Sequence, residues 1–164
     1  METFDSISKR ASVRVYQSKP IEKSLLEKLI DAGKRAPTAR AIEPWEFVVI
    51  TNNDILKKLG EIATSGSFIK DAVSCIVIFC KDTKYYLEDG CAATENILLA
   101  AQDLGLGACW VAGDKKPYAG EISKLLGAPS DLKLVSLISL GWPKTKAEQV
   151  KNRNLEDVIH WNRF

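Results

Sequence analysis

The chain carries a single histidine, His160, and four cysteines, Cys75, Cys80, Cys91 and Cys109, none of them in a CxxC pair. A His-based zinc site or a Ser-His-Asp triad is therefore poorly supplied. Cysteines set in apolar stretches read as small core residues rather than as ligands or disulfide partners. No apolar run approaches the roughly 20 residues that cross a bilayer, and no GxxxxGK[ST] string is present. The formal net charge is only +2, which argues for neither nucleic acid nor a membrane surface as partner. The opening Met1-Glu2-Thr3-Phe4-Asp5 lacks the basic and apolar regions of a signal segment, so the expected location is cytoplasmic. What is present is 164 residues, 46% hydrophobic and 27% charged, with no repeat or low-complexity tract. That suits one domain over 1–164 with its own core. If the chain is an enzyme, a cofactor carries the chemistry.

Periodicity predicts alternating helices and strands. A short helix over 5–10 has Phe4 and Ile7 on one face. A second, over 22–36, buries Leu25, Leu26, Leu29 and Ile30, with Gly33 continuing that face and Pro37 forcing the exit. Residues 45–51 read as a strand. Asn53 is then expected to cap a helix carrying Ile55, Leu56, Leu59 and Ile62. Residues 73–80, almost continuously apolar, read as a strand covered on both faces. The longest helix, 85–104, is apolar around most of its circumference, and Gly105 ends it. A strand at 108–112, a helix at 118–126 and a strand at 132–140 follow, before a charged tail. Alternation indicates three layers and, taken alone, suggests parallel strands.

Four segments could carry chemistry. In extended chain, Arg10, Ser12 and Arg14 point the same way, two guanidiniums flanking a hydroxyl. Such a row suits a phosphorylated polar ligand, or simply forms a solvated face. Lys151 and Arg153 repeat the alternation just before the apolar segment 155–159. Between Ala36 and Trp45 a helix ends in a loop whose Thr38, Ala39 and Ala41 are small enough for a planar ligand to approach the backbone. Gly105-Leu106-Gly107 superficially suggests a dinucleotide fingerprint. It follows a helix and opens a strand, the reverse of what that motif needs, so a Rossmann site is rejected.

Taken in order, these segments resemble the FMN-dependent nitroreductase family in its small-subunit form. The resemblance rests on Arg10-x-Ser12-x-Arg14, the Ala36-Pro37-Thr38 loop ending in Pro44-Trp45, and Asp71-Ala72 before the apolar strand. Gly105-Leu106-Gly107, Gly141-Trp142-Pro143 and Lys151-x-Arg153 followed by 155–159 complete it. It implies an α+β fold, a three-layer α/β/α sandwich around a mixed, mainly antiparallel sheet, which replaces the parallel expectation. It also implies a homodimer with FMN at the interface, NADH or NADPH as electron donor, and nitro compounds, quinones or similar small molecules as acceptors in ping-pong turnover. By matching positions, Arg10 and Arg153, helped by Lys151, hold the phosphate. Ser12 contacts the phosphate or ribityl chain, and Arg14 lies at the pyrimidine edge. Thr38, Ala39 and Ala41 come from the partner subunit, backbone at Ala112 and Gly113 approaches the reactive ring nitrogen, and the tail over 144–164 packs at the interface. No side chain is implied as catalytic, because the flavin carries the chemistry.

The chain departs from the family pattern at two places. Ala41 stands where the family often has Asn, and Glu43 where it has Gln, so a side-chain amide is lost and an anion gained that either opposes Arg14 or pairs with Arg40. The long insertion that covers the pocket in larger members is also missing. Two other readings stay open: a non-catalytic flavin-binding protein for storage or sensing, and a cysteine-dependent enzyme using Cys109 or Cys91.

Overall fold

A computed structural model describes residues 2–164. In chain order it contains α1 (Thr3–Lys9), α2 (Lys23–Lys34), a 3-10 turn (Ala39–Ala41), β1 (Trp45–Ile50), α3 (Asn53–Ile62), a 3-10 segment (Thr64–Asp71) and β2 (Ser74–Lys81). Then come α4 (Tyr86–Asp103), β3 (Gly107–Ala112), α5 (Ala119–Leu126) and β4 (Leu132–Gly141). The four strands lie in the order β1-β2-β4-β3, and every neighbouring pair is antiparallel. Among the described residues, parallel pairing is confined to the isolated bridge between Ser12 and Ala108. The α+β sandwich around a mainly antiparallel sheet is thus the architecture, and the parallel expectation drawn from alternation is wrong. A single crossover helix usually returns the chain parallel, yet β1 and β2, joined through α3 and the 3-10 segment, and β3 and β4, joined through α5 alone, are antiparallel neighbours.

Strand β2 shows why its apolar run is unbroken. Ile76, Ile78 and Cys80 pack beneath α2 and α4, while Cys75, Val77 and Phe79 face α3, α5 and the longer 3-10 segment. Each side of the sheet therefore has its own core, and a central strand must be apolar at both parities. Helix α4 buries Ala93, Ile97, Leu98 and Ala101. Helix α2 buries Leu26, Leu29 and Gly33, leaving Leu25 and Ile30 at the margin. The cap of α3 is Asn52 rather than Asn53: its side-chain oxygen accepts from Asp54 N–H at 2.9 Å and Ile55 N–H at 3.1 Å. With two adjacent asparagines equally able to cap, only backbone geometry chooses between them. Phe4 and Ile7, expected on one face of α1, are exposed.

The segment after α1 runs along the sheet margin. Val13 N–H donates to Ala108 C=O at 3.0 Å, and Gln17 N–H to Trp142 C=O at 2.8 Å. Two motif glycines permit this approach. A Cβ at Gly107 would lie 2.7 Å from Val13 Cγ1, and one at Gly141 would lie 2.6 Å from Tyr16 Cδ1. Gly107 and Gly141, from Gly105-Leu106-Gly107 and Gly141-Trp142-Pro143, are therefore seats for the N-terminal segment.

Gly107→Ala is expected to lower stability by about 1–3 kcal/mol, the usual effect of overpacking, because Val13 is β-branched and cannot swing clear cheaply. Adding Val13→Ala should recover part of that loss. Urea unfolding of the two variants checks this, and an unchanged midpoint for Gly107→Ala would contradict the close approach.

Candidate functional site

Strand β3 is at the edge of the sheet, so only one of its sides is paired. Gly113 N–H donates to Val135 C=O at 3.0 Å, which fixes the alternation. In an antiparallel pair, residues that exchange bonds with the neighbour alternate with residues whose N–H and C=O point away. Gly107, Cys109 and Val111 therefore face β4, and Ala108, Trp110 and Ala112 turn their backbone groups outward. Two outward carbonyls already have partners: Ala108 accepts from Val13 N–H, and Ala112 accepts from the Tyr118 hydroxyl at 2.6 Å. The Ala112 N–H is directed outward.

Arg10, Ser12 and Arg14 come together on this margin. Ser12 is the bridge partner of Ala108. Arg10, with a side chain 22% exposed, has its Nε 3.9 Å from Glu95 Oε1 on α4. Arg14 Nη1 donates a long bond to Ser12 C=O at 3.5 Å, and its guanidinium carbon sits 5.6 Å from the centroid of the Phe68 ring. Among the described residues no carboxylate forms an ion pair with Arg14. The Cys109 thiol lies beside this row. Burial pushes it above the usual thiol range, while Arg14, a hydrogen bond from Ser12 and Arg10 pull it the other way without reversing the shift. Cys91 is also raised, first by burial and then by Asp114 and Glu88. Neither is set up as a thiolate, so the cysteine-enzyme reading loses its chemistry.

Past β3, Gly113 has its N–H committed to Val135, and Asp114 N–H reaches the same carbonyl at 3.1 Å. Of Ala112 and Gly113, Ala112 is the residue with an outward donor. The Tyr86 hydroxyl at the start of α4 donates to Asp114 Oδ1 at 2.6 Å, and that bond, more than burial, raises the phenol to about 12.

The Thr38–Ala41 loop is held differently. Asp89, buried in α4, accepts from Thr38 Oγ1 at 2.9 Å and from Ala39 N–H at 3.0 Å. Thr38 Oγ1 in turn accepts from Glu43 N–H at 3.1 Å. Between these anchors Arg40, Ala41 and Glu43 take left-handed φ values of 59°, 53° and 51°. That conformation is uncommon outside glycine and persists where surrounding contacts enforce it. Among the described residues Arg40 and Glu43 form no ion pair, so the pairing considered from the sequence does not occur within the chain. Among the described residues, no hydrogen bond or ion pair joins this loop to the Arg10–Arg14 row.

In the tail, Gln149 Nε2 donates to Ile7 C=O at 2.9 Å, tying the segment to α1. Lys151 and Arg153 beyond it are exposed. Arg153 Nη2 donates to Asp157 C=O at 2.5 Å within its own turn, not toward Arg10. A hollow of about 680 Å³ lies elsewhere, lined by residues such as Tyr16, Gln17, Lys57 and Lys70. The outer side of β3, from Ala108 to Ala112, is paired with no further strand of the sheet.

Three contributors escaped sequence reasoning. Asp89 left only a weak signal, as one of two adjacent acids in the first turn of a core helix. Phe68 and Tyr118 left none, since the 3-10 segment that bears Phe68 has no readable period.

Comparison with known proteins gives a consistent picture. The family described as "Putative TM nitroreductase" matches residues 2–163. A protein of Archaeoglobus fulgidus named "Putative NADH dehydrogenase/NAD(P)H nitroreductase" is 35% identical over 169 residues, covering 97% of each chain. The crystal structure of a protein so named from Bacteroides thetaiotaomicron superposes with a TM-score of 0.94 at 30% identity, covering 99% of this chain and 98% of that one. An FMN-dependent nitroreductase from Clostridium difficile gives 0.87 at 31% identity, covering 98% and 99%.

Two outcomes follow from the site. Asp89→Ala should leave the Thr38 hydroxyl and Ala39 N–H without their buried acceptor, at about 1–3 kcal/mol, and speed hydrogen exchange at Ala39. Unaltered exchange there would show that Asp89 does not anchor the loop. Iodoacetamide should label the native thiols slowly at pH 7.5, where raised pKa values keep them protonated, and faster as pH rises past 9. Rapid labelling of Cys109 at neutral pH would contradict its environment.

Proposed function

The chain belongs to the nitroreductase family, and from that premise we propose that it binds FMN between two copies of itself. There it passes reducing equivalents from NADH or NADPH to nitro compounds, quinones or similar small acceptors. The observation that carries the reading is the Arg10-Ser12-Arg14 row on the open margin of β3, with Arg14 in no ion pair among the described residues and the Ala112 N–H outward farther along the same strand.

The donor set fits FMN. Arg10 offers forked donors to a phosphate dianion, and Arg153 and Lys151 bring further positive charge from the tail. Ser12 supplies a hydroxyl to the phosphate or the ribityl chain. Arg14 places a fixed cation at the pyrimidine edge, where negative charge accumulates on two-electron reduction, and so favours the reduced form. The Ala112 N–H, with backbone at Gly113 keeping the strand end rigid, suits a ring nitrogen without any titrating group. The β3 margin is open on its outer side, and the Thr38–Ala41 loop, preshaped by Asp89, is the piece of a second copy that closes it. The tail over 144–164 packs in the same interface, which would cover exposed Val150, Leu155, Trp161 and Phe164.

FMN, when bound, supplies the two-electron chemistry; the protein binds, orients and tunes it. With no long insertion over the site, donor and acceptor use one accessible face in turn, hence ping-pong kinetics and a permissive choice of acceptor.

Arg10→Ala should weaken FMN binding about ten- to hundredfold, the loss expected for a charged hydrogen bond, while the circular dichroism spectrum stays unchanged. Fluorescence titration with FMN measures this, and unchanged affinity would remove Arg10 from the phosphate site. NADH or NADPH should bleach the bound flavin anaerobically. Bound flavin that neither nucleotide bleaches would favour storage or sensing, and protein that takes up no FMN would refute the proposal.

A further inference from the structure

We propose that Phe68 is the positioning residue for Arg14, its ring face holding the guanidinium at the flavin's pyrimidine edge without cancelling its charge. The inference rests on the FMN reading above and adds to it a residue that no motif contains. A solvent-exposed arginine on extended chain is free to sample many rotamers. Here two contacts limit it: the 3.5 Å bond to Ser12 C=O and the Phe68 ring at 5.6 Å. The ring distance is within the roughly 6 Å over which an aromatic quadrupole attracts a cation. A carboxylate in Phe68's place would hold Arg14 more firmly, but it would neutralise the charge and occupy the N–H donors. An aromatic face restrains the group from one side and leaves most of those donors for a ligand.

Phe68 is itself well supported. It is half-buried against the core cluster beneath α3 and α5, in the 3-10 segment Thr64–Asp71. Three residues earlier, Ser65 Oγ lies 3.0 Å from the Tyr118 hydroxyl. The Tyr118 proton goes to Ala112 C=O at 2.6 Å, so Ser65 is the donor to Tyr118. The same short segment thus touches both ends of the proposed ring site, Arg14 through Phe68 and the Ala112 strand end through Tyr118. This gives the 3-10 segment a role beyond linking α3 to β2.

The test compares Phe68→Leu and Phe68→Tyr in the full-length, FMN-loaded protein, reading the midpoint potential of the bound flavin in an anaerobic dye-equilibrated titration. Phe68→Leu keeps an apolar filler but removes the ring. It should weaken binding of reduced FMN relative to oxidised FMN about threefold, a fall of about 14 mV at 29.6 mV per tenfold for a two-electron couple. Phe68→Tyr should keep the wild-type potential. In an Arg14→Ala background, Phe68→Leu should cause no further shift, because the two act through one contact. An unchanged potential in Phe68→Leu with FMN bound would overturn the inference alone. So would an equal fall in Phe68→Tyr, or a shift that persists without Arg14. Wild-type protein that binds no FMN would overturn it together with the reading on which it rests.

Discussion

Everything at the candidate site depends on the one-sidedness of β3. An edge strand presents unpaired backbone donors and acceptors that would otherwise invite aggregation. This chain covers part of that edge with its own N-terminal segment, through the Val13–Ala108 hydrogen bond and the Ser12–Ala108 bridge. The covering segment carries the charges. Once Val13 is fixed in register, Arg10, Ser12 and Arg14 are all held near Cys109 on this edge, and Ala112 lies uncovered farther along the same strand. Gly107 is what allows the segment to lie so close.

The electrostatics follow from the same placement. Arg10 has a distant carboxylate and Arg14 has an aromatic ring, so neither guanidinium is tightly paired. An anionic ligand on this margin meets positive charge that is held in place but not spent on internal ion pairs, the condition under which preorganised groups act most strongly on developing charge. The Cys109 thiol beside the arginines is shifted further toward its neutral form by burial.

Much of this was legible in the amino-acid order, and what was not has identifiable causes. Helix and strand positions could be read because each element has a strong period or a dense β-branched run, and β2's unbroken apolar run announced two covered faces. Strand direction could not be read, since β1–β2 and β3–β4 are antiparallel although helices join them, and alternation of elements does not encode that sense. The cap of α3 slipped by one because Asn52 and Asn53 are chemically equivalent. The basic residues were visible individually, but alternation alone could not distinguish a binding row from a solvated face; only the family pattern joined them. The anchoring of Thr38 and Ala39 by Asp89, and the ring under Arg14, are contacts between distant parts of the chain that no local pattern encodes.

The central claim is that the flavin site is composite, half from one chain's β3 margin and half from another's Thr38–Ala41 loop. Sedimentation velocity of the FMN-loaded protein, followed at the flavin's visible absorbance, tests it directly. The account predicts that all bound flavin sediments with a species of twice the 18.1 kDa chain mass. Flavin sedimenting with the single 18.1 kDa chain would contradict it.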